Sequence, residues 1–261
     1  MRQISFTAVF VALLCLCASA ASAVVLDWNT ATWTPSGSVS NSFDIDPANP
    51  GNDVTITITG DTNTLTPDPT SGTMTPTVNN SIEGGFGPSQ RSLLFHMTPA
   101  TPQDAITITI TFSPGYTMGV GNVSFTLASL DKNSFHDKVD NISGLAVDGV
   151  TVLAPTITDV GPAVKLTGNG VNQTLTGSAL VPDTGAGSGD GNATINFTDL
   201  GIQSVSFRFA NGASFPSPQT FAMFNLTFTP VPEINSGAGA AGACVAVAVL
   251  QKVRRRRLRR V

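Results

Sequence analysis

Between Val24 and Pro230 the chain has no cysteine. Its three cysteines, Cys15, Cys17 and Cys244, all lie in apolar stretches toward the two ends. The body therefore forms no internal disulfide and no thiolate metal site. Outside the cell, such a fold would stand on core packing or on bound ions. Charge is also scarce, at 11% of residues against 41% hydrophobic. Lysine and glutamate are few, whereas Gly, Pro, Thr, Ser and Asn are abundant. That composition suits strands joined by turns rather than helices. The few basic residues are unevenly placed. From Val24 to Pro230 there are sixteen acidic residues and five basic ones, a formal charge of −11. That sign excludes binding to a nucleic-acid backbone, which needs the opposite charge. It suits solubility or the attraction of cations. Seven of the 13 basic residues crowd between Lys252 and Arg260.

Long apolar runs occur only near the ends. The first stretch, MRQISFTAVFVALLCLCASAASA, has one positive residue, an apolar run from Ile4 to Leu16, and then small residues. This is the pattern of a secretory signal. Ala21-Ser22-Ala23 supplies an A-x-A cleavage site with Val24 as the new first residue, and Ala18-Ser19-Ala20 is a second candidate.

The last stretch is VPEINSGAGAAGACVAVAVLQKVRRRRLRRV. The uncharged run from Ser236 to Leu250 would span roughly 22 Å as a helix, short of the roughly 30 Å hydrocarbon core. Ala, Gly and Val make it only weakly hydrophobic, and the basic cluster behind it should stay on the cytoplasmic side. A transmembrane helix held there places the body outside. The order Pro-Glu, short apolar helix, arginine cluster resembles the PEP-CTERM sorting domain, the substrate signal of exosortases in bacteria that make exopolysaccharide. The matching positions are Pro232 and Glu233, the helix from about Ser236 to Leu250, and Arg254, Arg255, Arg256 and Arg257. Ile234 stands where the named motif has a second proline. The resemblance covers only the stretch from Val231 onward. It implies an exosortase-type membrane partner, an inner-membrane-anchored intermediate, and transfer to the cell surface or extracellular matrix. An ordinary tail anchor is the alternative.

The body reads as strands. NDVTITITG (Asn52 to Gly60) sets Val54, Ile56 and Ile58 against Thr55, Thr57 and Thr59, and DAITITITFS (Asp104 to Ser113) repeats the device. Period-2 alternation with β-branched residues marks strands with one buried face. Further strands are expected at SLLFHM, NVSFTLASL, GLAVDGVTVL, AVKLTG, QTLTGS, ATINFT, QSVSFRFA and FAMFNLTF. Asp148-Gly149 signals a two-residue hairpin turn. Some ten short strands predict one all-β domain, a two-sheet β-sandwich of jelly-roll type, from Val24 to Pro230. The diffuse pattern of this body also resembles the β-sandwich modules of bacterial surface and PEP-CTERM proteins, a resemblance that implies no activity.

Catalytic signatures are missing. There is no G-x-S-x-G elbow, and the body's histidines are only His96 and His136. LDKNSFHDKVDN reads as a loop gathering Asp131, His136, Asp137 and Asp140, and Asp131, Asp137 and Asp140 are the candidate calcium ligands. A solvated loop is the plainer reading. Asp44 and Asp46, with Asp53 nearby, would share one strand face, as a metal or glycosidase pair or as a polar strand end. Trp28 and Trp33 would face opposite sides of a single strand unless a turn intervenes, which argues against a shared sugar platform. No cofactor other than calcium is suggested. The reading is an exported, non-enzymatic surface or matrix protein, structural or adhesive in association with exopolysaccharide. A carbohydrate-binding module on the same sandwich is the alternative, and a secreted hydrolase the third.

Overall fold

The computed structural model describes residues 22–131, 137–179, 189–212 and 215–232. Ala21, Glu233, the expected helix at 236–250 and Arg254 to Arg257 lie outside the described residues, so only Ala23 and Val24 of the named cleavage residues and Val231 and Pro232 of the tail fall within them. A body from Ser22 to Val231 forms a compact unit of its own. Among the described residues no helix is long and apolar enough to cross a membrane.

The body is all-β. In chain order its strands are β1 (Val24–Leu26), β2 (Ser40–Phe43), β3 (Val54–Gly60), β4 (Thr77–Asn79), β5 (Ser92–Met97), β6 (Ala105–Phe112), β7 (Val120–Ala128) and β8 (Asp137–Ala146). There follow β9 (Val152–Leu153), β10 (Thr156–Thr158), β11 (Val164–Thr167), β12 (Thr174–Gly177), β13 (Ala193–Phe197), β14 (Ile202–Asn211), β15 (Gln219–Met223) and β16 (Leu226–Pro230). Every strand pair is antiparallel.

The pairings fall into two groups. The first runs β2-β3-β6-β14-β8-β12-β11, with β9 beside the far half of β8. The second runs β10-β13-β7, and the free edge of β7 is shared end to end by β16 and β15. β1 extends β16, while β5 and β4 extend β15. The single pair Ile202↔Val120 joins the two groups.

Alternation decides which faces meet. In β3 and β6, Val54, Ile56, Ile58, Ile106, Ile108 and Ile110 are buried, and their threonines face away. The second group turns Phe125, Phe197, Phe221 and Phe228 inward. Rings meet across the gap. Phe207 of β14 lies 5.6 Å from Phe125 of β7, Phe209 lies 4.0 Å from Phe221, and Phe112 lies 5.0 Å from Phe228. Offset and tilted contacts of this kind are the favoured aromatic geometries. The outward threonines stand in register as Thr55↔Thr111, Thr57↔Thr109 and Thr59↔Thr107, a hydroxyl-bearing outer face.

Three strand expectations need correction. FAMFNLTF is two strands, because Phe224 turns to a small second cluster with Ile82, Leu94, Ala128 and Ala222, and Asn225 turns its side chain to the Trp28 amide, 3.1 Å away. The Asp148-Gly149 hairpin is real, but its loop runs from Val147 to Val150, closed by Ala146 N–H to Thr151 O at 2.9 Å. The Asp148 carboxylate accepts the Val150 and Thr151 amides and so stabilises the longer turn. LDKNSFHDKVDN is not a loop throughout: β8 begins at Asp137, because Val139 and Ile142 carry a buried strand face, and residues 132–136 lie outside the described residues.

Candidate functional site

An open cleft of about 420 Å³ lies where β1 and its following turn face β2. Its walls are Val25, Asp27, Thr30, Ala31, Thr32 and Thr34 on one side and Asn41, Ser42, Phe43, Asp44 and Ile45 on the other. The turn follows from its sequence. Asp27 O accepts the Thr30 and Ala31 amides, and Asp27 Oδ1 accepts the Asn29 amide at 2.9 Å. This brings Trp28 and Trp33 to the same side. Both are buried against Phe43, with ring centroids 5.6 and 6.2 Å away. The expectation that they face opposite sides of one strand is therefore corrected. β1 ends at Leu26, and the intervening turn sends both indoles into the core, where they pack against Phe43, itself a lining residue of the cleft.

The opposite wall is set by Asp53. Its carboxylate is fully buried and accepts four donors. These are the Ile45 and Asp46 amides at 2.7 and 2.6 Å, Asn49 Nδ2 at 2.7 Å and the Tyr116 hydroxyl at 2.8 Å. Burial, then the hydrogen bond and charge of Asp53, push the Tyr116 hydroxyl pKa far above its ordinary value. The Ile45 and Asp46 amides turn to Asp53 instead of to β3, so the strand stops at Phe43 and the expected strand face carrying both Asp44 and Asp46 does not exist. Asp46 is occupied by the Ala48 amide and the Tyr116 hydroxyl. Asp44 is exposed on the cleft wall. Ser42 links the cleft to the outer threonine face through a 2.8 Å contact with the Thr55 hydroxyl.

The expected calcium ligands come together only in part. Asp131 and Asp137 are both buried and joined, with Asp131 N–H donating to Asp137 Oδ2 at 3.1 Å and Asp137 N–H donating to Asp131 O at 3.0 Å. Asp140 instead holds Lys138 Nζ at 2.7 Å and Arg208 Nη1 at 3.2 Å. Among the described residues no three His, Cys, Asp or Glu side chains gather as a metal site. His136 lies outside the described residues. His96 is half-buried in β5, its Nδ1 2.7 Å from the Thr220 hydroxyl.

The sequence reading missed Asp27, Thr30, Thr32, Asn41 and Ser42. The one signal for Asp27, Thr30 and Thr32 was the polar stretch DWNTATWTP, while Asn41 and Ser42 sit in the short strand β2.

No protein-family model matches the chain, and no curated protein matches it. Among solved structures, a family 11 carbohydrate-binding module from Clostridium thermocellum, in complex with a β-1,3-1,4-mixed-linked tetrasaccharide, is 12% identical at a TM-score of 0.33, covering 82% of this chain and 99% of that one. The mannan-recognising module TmCBM27 is 7% identical at 0.31, covering 81% and 100%. The N-terminal domain of the Streptococcus gordonii adhesin Sgo0707 is 8% identical at 0.34, covering 84% and 60%. At that level the likeness carries neither a family nor a ligand over to this chain.

Proposed function

We propose that the chain is an exported, non-catalytic protein of a jelly-roll-like β-sandwich that binds extracellular polysaccharide through the cleft between β1 and β2. The observation that carries this reading is the lining of that cleft. Carboxylates (Asp27, Asp44), an amide (Asn41) and hydroxyls (Thr30, Thr32, Thr34, Ser42) stand over the partly apolar Val25, Ala31 and Ile45. A sugar chain offers hydroxyls that donate to carboxylates and amides, and apolar C–H faces that rest on aliphatic side chains. The cleft is open, as a polymer requires, and Ser42 continues it onto the hydroxyl face of β3 and β6.

Export through the amino-terminal signal, anchoring by the helix at 236–250 and handling by an exosortase-type enzyme at Pro232-Glu233 complete the proposal. They would deliver the body to the cell surface or matrix, in a structural or adhesive role there.

The test is affinity electrophoresis of the full chain in gels containing single soluble polysaccharides. Retardation by at least one polymer is expected, with roughly ten-fold weaker binding for Asp44→Ala, the loss of one hydrogen bond to a charged group. Thr32→Arg, which fills the mouth of the cleft at an exposed position, should abolish retardation. Equal retardation of wild type and both variants would remove the cleft from the account.

A further inference from the structure

The described surface carries few large exposed aliphatic side chains, and five of them gather at one end of the body: Met118, Val147, Val150 and Leu200 in three loops, and Val152 at the start of β9. The loops are tightly joined. Val147 N–H donates to Gly201 O at 2.8 Å. A methyl group built on Gly201 would lie 3.6 Å from Met118 O and 3.8 Å from Val147 Cγ2, and one on Gly121 would meet Leu200 Cδ2 at 2.6 Å. Gly119, at φ +72°, lies so close to Gly201 that a side chain there would strike its backbone at 2.7 Å. All five side chains are 46–79% exposed: Val150 is 79%, Leu200 69%, Val152 57%, Met118 47% and Val147 46% exposed.

The same end is where the chain leaves the body. Thr229 and Pro230 pair with Gly121 and Val120, and Val231 N–H donates to Gly119 O at 3.0 Å. From Pro232 to Asn235 only four residues remain before the apolar run begins at Ser236. Extended, they span at most about 14 Å.

We infer that Met118, Val147, Val150 and Leu200 form a lipid-facing end that rests in the membrane interface while the chain is anchored. This rests on the reading of residues 236–250 as a membrane helix. The short spacer keeps that end within reach of the bilayer surface, and exposed aliphatic loop tips gain by entering the headgroup and acyl boundary. Asp148 and Asp199 stand in the same loops. Anionic headgroups therefore repel this end, and the contact favours zwitterionic lipid. Four aliphatic tips make a weak contact by themselves, which lets the body leave the membrane once the tail is cut.

The experiment uses the full chain with Cys15→Ser, Cys17→Ser and Cys244→Ser. One added cysteine, Val150→Cys or Leu200→Cys, carries an environment-sensitive fluorophore, and the chain is reconstituted into phosphatidylcholine vesicles doped with spin-labelled lipid. Val39→Cys is the control, since Val39 is exposed but pairs through its carbonyl with Ile58, at the opposite end of the first sheet. The inference expects several-fold stronger quenching at 150 and 200 than at 39, reduced when phosphatidylglycerol replaces phosphatidylcholine. Chain that floats with the vesicles while all three labels stay equally solvent-exposed overturns the lipid-facing end and leaves the anchor intact. Chain that does not float with the vesicles overturns both.

Discussion

At the scale of single residues, two buried carboxylates organise the loops. Asp53 holds the turn that carries Asp44, through four donors in a site closed to water. Removing it leaves the Ile45 and Asp46 amides without a charged acceptor and the Tyr116 hydroxyl with only the longer 3.2 Å contact to Asp46. Asp53→Ala should therefore destabilise the body by about 3 kcal/mol or more, and Tyr116→Phe, which removes one donor, by about 1 kcal/mol, as read by urea unfolding. Asp68 is the second. Burial alone would raise its pKa, but hydrogen bonds from the Ser71 hydroxyl, the Thr70 amide, the Ser81 hydroxyl and the Ser71 amide outweigh that and hold it below the ordinary carboxylate value. The folded state then binds its proton less readily than the unfolded chain. The stability it contributes is complete above the unfolded value and is lost as pH falls through the lower folded one. Unfolding measured from pH 6 downward should therefore show a shallower loss of stability in Asp68→Asn than in wild type, from a lower starting point. Identical slopes would contradict the assignment.

At the scale of elements, much was legible in the sequence. VTITITG and AITITITF announce β3 and β6 because one face must be buried and the other wet, so period 2 is written into both. The breaks were not legible. FAMFNLTF reads as one strand because every residue in it has strand character. What interrupts it is tertiary: the Trp28 amide, 197 residues away in sequence, takes the Asn225 side chain. Asn225→Ala should cost about 1 kcal/mol and loosen the first residues of the body, seen as faster amide exchange at Trp28. The cleft was hidden for a similar reason. Its residues are ordinary turn and edge residues, and only the pairing of β1 with β16 and of β2 with β3 sets the two walls opposite each other. The carboxylates that looked most like a ligand set are held by partners within the protein. Asp131 and Asp137 tie a loop to the start of β8, while Asp140 neutralises Lys138 and Arg208.

At the scale of the molecule, a cysteine-free acidic sandwich follows a stretch with the pattern of an export signal and precedes a tail that resembles a sorting signal. The body holds together by packing two sheets whose aromatic rings meet in the middle, and, because it has no cysteine, its fold does not depend on a disulfide. Its polar cleft faces outward from a sheet edge, and its aliphatic loop tips gather at the end from which the chain leaves. Place and function are linked in this account, since a protein that binds extracellular polysaccharide must first be released among it. The most direct measurement is therefore the intact mass of the protein recovered from the polysaccharide fraction of its native cells. The account predicts a body that begins at Val24, lacks the residues beyond about Val231, and co-purifies with the polymer. A chain that still carries Arg254 to Arg257 and is found only in membranes, with none in the polysaccharide, would contradict it.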